Sequence, residues 1–470
     1  MTRKQMVSDR LHFLTPKKGR DVDMTEGNIL RHIITFAIPL LIGNLFQQMY
    51  NMVDTWVIGN FVENKNAFSA VGSVTPVINV LIGTFLGFSS GAGVVISQYY
   101  GAKRFHEVNK AVHTAISMTL ILGTLLTVVG LTMIPFMLSF MKMPKDVIPE
   151  ATTYLSIYFS GLMGLVLYNI GAGILRAVGD STRPFLFLVI CAVVNTVLDL
   201  LFVIVFHMGV SGVALATILA QAISAVLVMI VLLRSNTCIK LSPKKLKIDV
   251  PILKKIIRVG IPSALQMSIT SFSNVFGQSY INFFGADCMS GWGTYIKVDQ
   301  LILLPMQSIA LSCTTFVGQN LGKNQVQRAK KGIVTSLLMA LSATALLIIP
   351  VVIFAEPIAA FFNPSAAVVS YAAMLLRWIT PFYMLTCFNQ IFASALRGAG
   401  NTKAPMIIML CSFVAFRQVY LFCISQICNE IIPIAMGYPA GWLLCSLATF
   451  IYYKSVPLNK TRLVDDVPAK

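Results

Sequence analysis

Charge is what this sequence has least of: its 18 Asp and Glu and 36 Lys and Arg make up 11% of 470 residues, against about 25% in soluble globular proteins. That scarcity excludes an ordinary soluble domain. The five His (His12, His32, His106, His113 and His207) form no HExxH pair, and no nucleophile motif or phosphate-binding loop accompanies them, which argues against a polytopic membrane enzyme and against an ATP-driven pump. His106 and His113 flank a loop and a helix start, where a solvated side chain is expected. The nine Cys are odd in number and unclustered, so neither a disulfide framework nor a metal site is implied. Residues 1–28 hold no apolar core, so no cleavable signal peptide is expected and the first helix serves as its own insertion signal.

What the chain has in abundance is hydrophobic residues, 56% of the total. Read against the roughly 20 residues needed to cross a bilayer, the apolar runs give about twelve spans between Ile29 and Lys454. The expected fold class is an all-α polytopic membrane protein. The expected domains are a tail at 1–28, a first lobe of six spans at 29–234, a basic linker at 235–251, a second lobe of six spans at 252–454 and a tail at 455–470. With the N-terminus placed in the cytoplasm, 30 of the 36 Lys and Arg fall on that side, and only Lys65, Lys142 and Lys145 fall outside. That asymmetry accounts for the net charge of +18 without any nucleic-acid partner. It places the chain in a cell membrane of the bacterial inner-membrane type, both termini cytoplasmic, and a monomer is expected. The loop Lys240–Asp249 reads as a solvated basic linker.

One stretch concentrates the polar chemistry. From Ile38 to Phe61, Asn44, Gln47, Gln48, Asn51 and Asp54 fall at offsets 0, 3, 4, 7 and 10, within roughly a 120° arc of one helix. An acid inside an apolar helix costs about 2.5 kcal/mol or more, so Asp54 reads as functional unless it is pinned to a neighbouring helix for structure alone. Pro39 removes a helix hydrogen bond and is either a hinge or a static kink.

The two halves also resemble each other. ILRHIITFAIP at Ile29–Pro39 matches ILKKIIRVGIP at Ile252–Pro262 in six of eleven positions, at an offset of 223. At an offset of 221, Gln98 and Gly101 match Gln319 and Gly322, and LRAVGDSTRP from Leu175 matches LRGAGNTKAP from Leu396. Six spans per half is an even number, so both copies enter from one side and the repeat is parallel, an arrangement suited to alternating access. At these offsets Asp54 becomes Gly277, Asn195 becomes Phe416 and Asp199 becomes Tyr420, while a milder polar face survives at Thr270, Ser271, Asn274 and Gln278.

These motifs, together with VVNTVLDLLF in the fifth span and GVSGVALATILAQ in the sixth, make the chain similar to the multidrug and toxic compound extrusion (MATE) family over about residues 29–454. The resemblance implies a twelve-helix antiporter with two six-helix lobes. It would export amphipathic, often cationic small molecules in exchange for H⁺ or Na⁺, with no other cofactor. Members of the archaeal and DNA-damage-inducible branch imply a cation site in the first lobe made of Asp54, Asn195 and Asp199, with Tyr154 and Thr217 matched by spacing, a hinge at Pro39, and Na⁺ as a possible ligand of the first three. The carboxylates that another branch carries in its seventh and tenth helices are absent here.

Chemically, two carboxylates sharing a cavity hold one proton between them, whereas with neutral oxygens around them they ligate a hard cation; the sequence leaves both open. Gln47, Gln48, Asn51, Asn274 and Gln278 are the candidate substrate-cavity residues. Lys297, Asp299, Arg377 and Arg417 in the second half are expected either to pair internally or to attract an anionic substrate group. The competing reading within the same superfamily is a flippase for lipid-linked oligosaccharides or peptidoglycan precursors, which Arg377 and Arg417 keep in view.

Overall fold

A chain with so few polar side chains must satisfy its backbone amides and carbonyls internally, and in a bilayer the α-helix does this within one segment. The computed structural model describes residues 22–62, 65–141, 143–428 and 430–464; among them every regular element is helical. Most of the N-terminal tail, Lys142 and the end of the C-terminal tail lie outside the described residues.

The first half contains α1 (Ile29–Phe61), α2 (Lys65–Gly101), α3 (Phe105–Phe140), α4 (Ile148–Ser160), α5 (Leu162–Ala177), α6 (Thr182–Leu200) and α7 (Gly209–Arg234). The second half contains α8 (Val250–Asn282), α9 (Ala286–Gly322), α10 (Val326–Ile353), α11 (Ala355–Phe362), α12 (Ala366–Ile379), α13 (Tyr383–Gly398), α14 (Lys403–Leu410), α15 (Arg417–Ile427), α16 (Ile431–Ala435) and α17 (Gly437–Ser455). Among the described residues, ten spans are long and apolar enough to cross a membrane, and α4 with α5, bent by 46°, makes an eleventh if the pair is one span. The remaining long helix, α8, is 33 residues with a more polar face and completes six spans per half. One compact unit is built chiefly from Ile42–Ile257 and the other from Met24–Leu41 with Arg258 onward. Ile29–Leu41 of α1 therefore groups with the second half, and Val250–Ile257 of α8 with the first, a division the expected lobe limits at 29, 234 and 252 do not contain.

The repeat is written into the backbone. Lys103 and Asn324, 221 apart, both take positive φ (57° and 60°), and so do Gly179 and Gly400 (88° and 91°). The glycines end α5 and α13 in the left-handed conformation that only glycine adopts without strain. Asp180 follows the first and Asn401 the second. Asp180 Oδ1 accepts from the amides of Thr182 and Arg183, both at 3.1 Å, and Asn401 Oδ1 from that of Ala404 at 3.3 Å. The motifs LRAVGDSTRP and LRGAGNTKAP are thus one helix stop and one helix start, made twice.

The linker does not float free. Asn109 Nδ2 donates to the carbonyls of Cys238 and Lys240 (3.1 and 2.8 Å), and the Asp249 amide donates to Thr114 Oγ1 at 3.0 Å. The amide of Ser242 donates to His113 Nε2 at 3.1 Å. His113 is buried, which corrects the expectation of a solvated side chain: its ring fastens the linker to α3.

α1 runs as one helix through Pro39, the residue expected to be a hinge or a static kink. A bend of 46° lies between α4 and α5, at Gly161, where a Cβ would stand 2.4 Å from Ile218 Cβ on α7. The absence of a side chain at Gly161 makes room for the Ile218 side chain at the bend. Overpacking of this kind costs about 1–3 kcal/mol. Gly161→Val is therefore expected to lower the thermal unfolding midpoint of the detergent-purified protein, whereas Gly72→Ala, with nothing within 4 Å of the new Cβ, leaves it unchanged or raises it.

Candidate functional site

The packed face of α1 is set by size. Gly43, Tyr50, Val57 and Ile58 are buried, while Ile42, Leu45, Met49, Met52 and Trp56 are exposed. Counted at 100° per residue, Gln47 and Asp54 lie on the buried side, and both are half-buried. Gln48 is also half-buried, and Asn51 is exposed. The polar arc expected from the spacing is therefore split: one edge enters the first unit, and the other leaves it.

On the buried edge, Asp54 lies beside Asp199 of α6, within electrostatic reach of its carboxyl group. Asp199 is wholly buried and Asn195, one helical turn earlier on the same face, is 1% exposed. Tyr154 of α4 is buried within electrostatic reach of both acids and stacks on Tyr158 at 6.3 Å. Tyr154 and Tyr158 belong to an apolar core that includes Val57, Val203, Val210 and Val213. Immediately after Asp199 the helix loosens into a π-turn, Leu201–Val205, a feature common at functional sites.

The hydrogen-bond inventory of this cluster is incomplete. Asp54 Oδ1, both Asp199 oxygens and both side-chain amide atoms of Asn195 are buried without a partner. Two facing carboxylates present only acceptors, so the missing component is a donor or a cation. Buried polar groups left in this way cost about 1–3 kcal/mol each, more for charged ones, and such a cost persists where the group has a task.

Of the residues expected at this site, Asp54, Asp199, Asn195 and Tyr154 come together. Thr217 of α7 donates its hydroxyl to its own helix at Val213 O, 3.0 Å away, and lines a small crevice with Tyr158, Gly161 and Gln221. Tyr50, Tyr158 and Cys191 were not anticipated. Tyr50 is buried beside Asp54, Tyr158, Cys191 and Gln47. Each of the three sits four residues from a residue already singled out (Asp54, Tyr154, Asn195), so helical spacing was the available signal.

In the second unit the two proposed cavity residues have partners. Gln278 Nε2 donates to Asn282 Oδ1 at 2.9 Å, and Asn274 Oδ1 accepts from Arg417 Nη2 at 2.9 Å. The four ionisable residues of this half go separate ways. Arg377 pairs with Glu356 at 3.0 Å on the surface, Lys297 lies over the Phe362 ring at 5.8 Å, and Asp299 accepts the Tyr383 hydroxyl, which also bonds Tyr295 at 2.9 Å.

The MatE family model matches residues 39–201 and 262–421, once in each half. A probable multidrug resistance protein of Bacillus subtilis (strain 168), YpnP, is 28% identical over 432 residues, which cover 92% of this chain and 96% of the relative. A second from the same strain, YoeA, is 28% identical over 470 residues, covering 98% and 100%. A crystal structure of a MATE protein in complex with MaL6 shares the fold, with a TM-score of 0.88 at 22% identity over 94% of this chain and 98% of that one.

Replacing one carboxylate by an amide turns the acceptor–acceptor contact into a donor–acceptor contact, and a hydrogen bond to a charged group contributes about 1.5–3 kcal/mol. Asp54→Asn is therefore expected to unfold at a temperature equal to or above wild type at neutral pH, while Asp54→Leu, which leaves Asp199 buried alone, unfolds lower. Destabilisation by Asp54→Asn as large as that of Asp54→Leu counts against the Asp54–Asp199 pairing.

Proposed function

The chain belongs to the MatE family of membrane transporters, and on that premise we propose that it exports amphipathic, often cationic, small molecules by alternating access, driven by inward movement of a cation. Names of relatives such as YpnP and YoeA support efflux of drugs. One observation carries the coupling proposal: two acids from different helices, half-buried Asp54 and wholly buried Asp199, lie together with three of their carboxyl oxygens buried and without a donor. A proton supplies the missing donor, and its arrival removes a net charge from the interior of the unit.

In this proposal the deprotonated pair holds the cationic face of the substrate pathway, and protonation from the outside releases it. Asn195 and Tyr154 orient the carboxyls, and Gln47, Gln48, Asn51, Asn274 and Gln278 contact substrate. Pro39 is the proposed hinge of α1, because an interior proline leaves the carbonyl one turn earlier without its usual donor. The partnerless amide of Asn195 favours a second reading, in which Na⁺ is the coupling ion, ligated by Asp54, Asp199 and Asn195. The location proposed is a bacterial-type inner membrane with both termini cytoplasmic, the protein acting as a monomer and without enzymatic activity.

The test uses purified protein in liposomes, with a pH gradient and a Na⁺ gradient imposed separately and ethidium movement followed by fluorescence. Wild type is expected to respond to the pH gradient, and Asp54→Asn and Asp199→Asn to lose that response. A response to Na⁺ alone transfers the proposal to the second reading, and undiminished pH-driven transport in both variants removes the pair from coupling.

A further inference from the structure

Arg417 is the least explained charge in the molecule. It opens α15, directly after a second π-turn at Cys411–Phe416, 14 residues beyond Lys403, or about 21 Å along the helical path at 1.5 Å per residue. It is 4% exposed, and no carboxylate pairs with it among the described residues. Its partners are neutral. Nη2 donates to Ser273 Oγ at 2.8 Å and to Asn274 Oδ1 at 2.9 Å, and the guanidinium carbon lies 4.7 Å from the centre of the Tyr438 ring. Nε is buried and has no partner at all.

The surroundings are arranged to hold this cation without neutralising it. Gln418 Nε2 fixes Ser273 through its carbonyl at 3.2 Å and its hydroxyl at 3.1 Å. Gly277, where the first half has Asp54, leaves room for the Tyr438 hydroxyl, which stands 2.7 Å from where a Cβ would be. At the position that would supply an acid by the repeat there is thus space for the aromatic ring that faces Arg417. Asn274, by contrast, is exposed, so one side of the guanidinium's hydrogen-bonded shell opens outward.

A buried guanidinium with only neutral partners is costly, and an apolar side chain of similar volume is commonly as stable or more so. Its planar fork matches a carboxylate or phosphate, which binds through two parallel N–H donors. We propose that Arg417, with Ser273, Asn274 and Tyr438, forms a subsite in the second unit for a carboxylate or phosphate group carried by an amphipathic ligand, reached past Asn274. The inference rests on the chain binding amphipathic compounds but not on ion coupling.

The test is fluorescence anisotropy on the full-length protein in phosphatidylcholine-containing detergent micelles with no ion gradient, so that failure of the antiport reading leaves it unaffected. Two xanthene dyes serve as probes, carboxyfluorescein (anionic) and rhodamine 6G (cationic). Losing a charge-assisted hydrogen bond of about 1.5–3 kcal/mol predicts at least a tenfold weaker affinity of Arg417→Gln for carboxyfluorescein. Rhodamine 6G binding changes little, and Arg417→Lys lies between wild type and Arg417→Gln. Asn274→Asp leaves Arg417 in place but gives it the missing carboxylate, and is expected to abolish carboxyfluorescein binding while raising the unfolding temperature. Equal loss of both dyes in both variants, or unchanged carboxyfluorescein binding in either, overturns the proposal. Phosphatidylglycerol that displaces carboxyfluorescein from wild type assigns the subsite to a lipid headgroup, and the absence of such competition assigns it to a free solute.

Discussion

In hydrocarbon, a polar group without a partner has no water to turn to, and this constraint decides most of what the chain does. It makes every span a helix, because only a helix pairs its own amides and carbonyls as it crosses. It also makes each buried ionisable side chain conspicuous. Asp54, Asp199 and Arg417 stand out as ionisable side chains with buried atoms that lack a hydrogen-bond partner and with no oppositely charged partner among the described residues, whereas Asp180 and Arg183 pair with each other at 3.3 Å.

The repeat shows how one architecture came to carry two chemistries. The backbone devices are shared: Gly179 and Gly400 end equivalent helices, Asp180 and Asn401 start the next, and Lys103 and Asn324 turn the chain alike. The polar centres are not shared. The first unit puts Asp54 against Asp199. The second has Gly277 and Tyr420 at those positions, fills the space beside Gly277 with the Tyr438 hydroxyl, and sets Arg417 over that ring. The polar centres thus diverge on helix ends and turns that the two halves share.

The helices and the repeat were legible in the sequence because each depends on local composition or on spacing along the chain, whereas Asp199 as a partner of Asp54 came from the family resemblance. What was not legible depends on which neighbour a helix meets. A 120° arc holds Gln47, Gln48, Asn51 and Asp54, but only packing against Gly43, Tyr50 and Val57 determines that Asp54 enters the unit and Asn51 leaves it. The bend in the fourth span lies at Gly161, where Ile218, more than fifty residues away, occupies the space a side chain would need, a neighbour no local signal marks. The linker read as solvated because it is basic, while its backbone is held by Asn109, His113 and Thr114 of α3.

The central claim is that Asp54 and Asp199 share one exchangeable proton that substrate displaces. It is tested most directly by recording, with a pH indicator in weakly buffered detergent solution, whether ethidium binding releases protons. The account predicts proton release from wild type and none from the Asp54→Asn/Asp199→Asn double variant at matched occupancy. Equal release from the double variant, or ethidium binding to wild type without release, would contradict it.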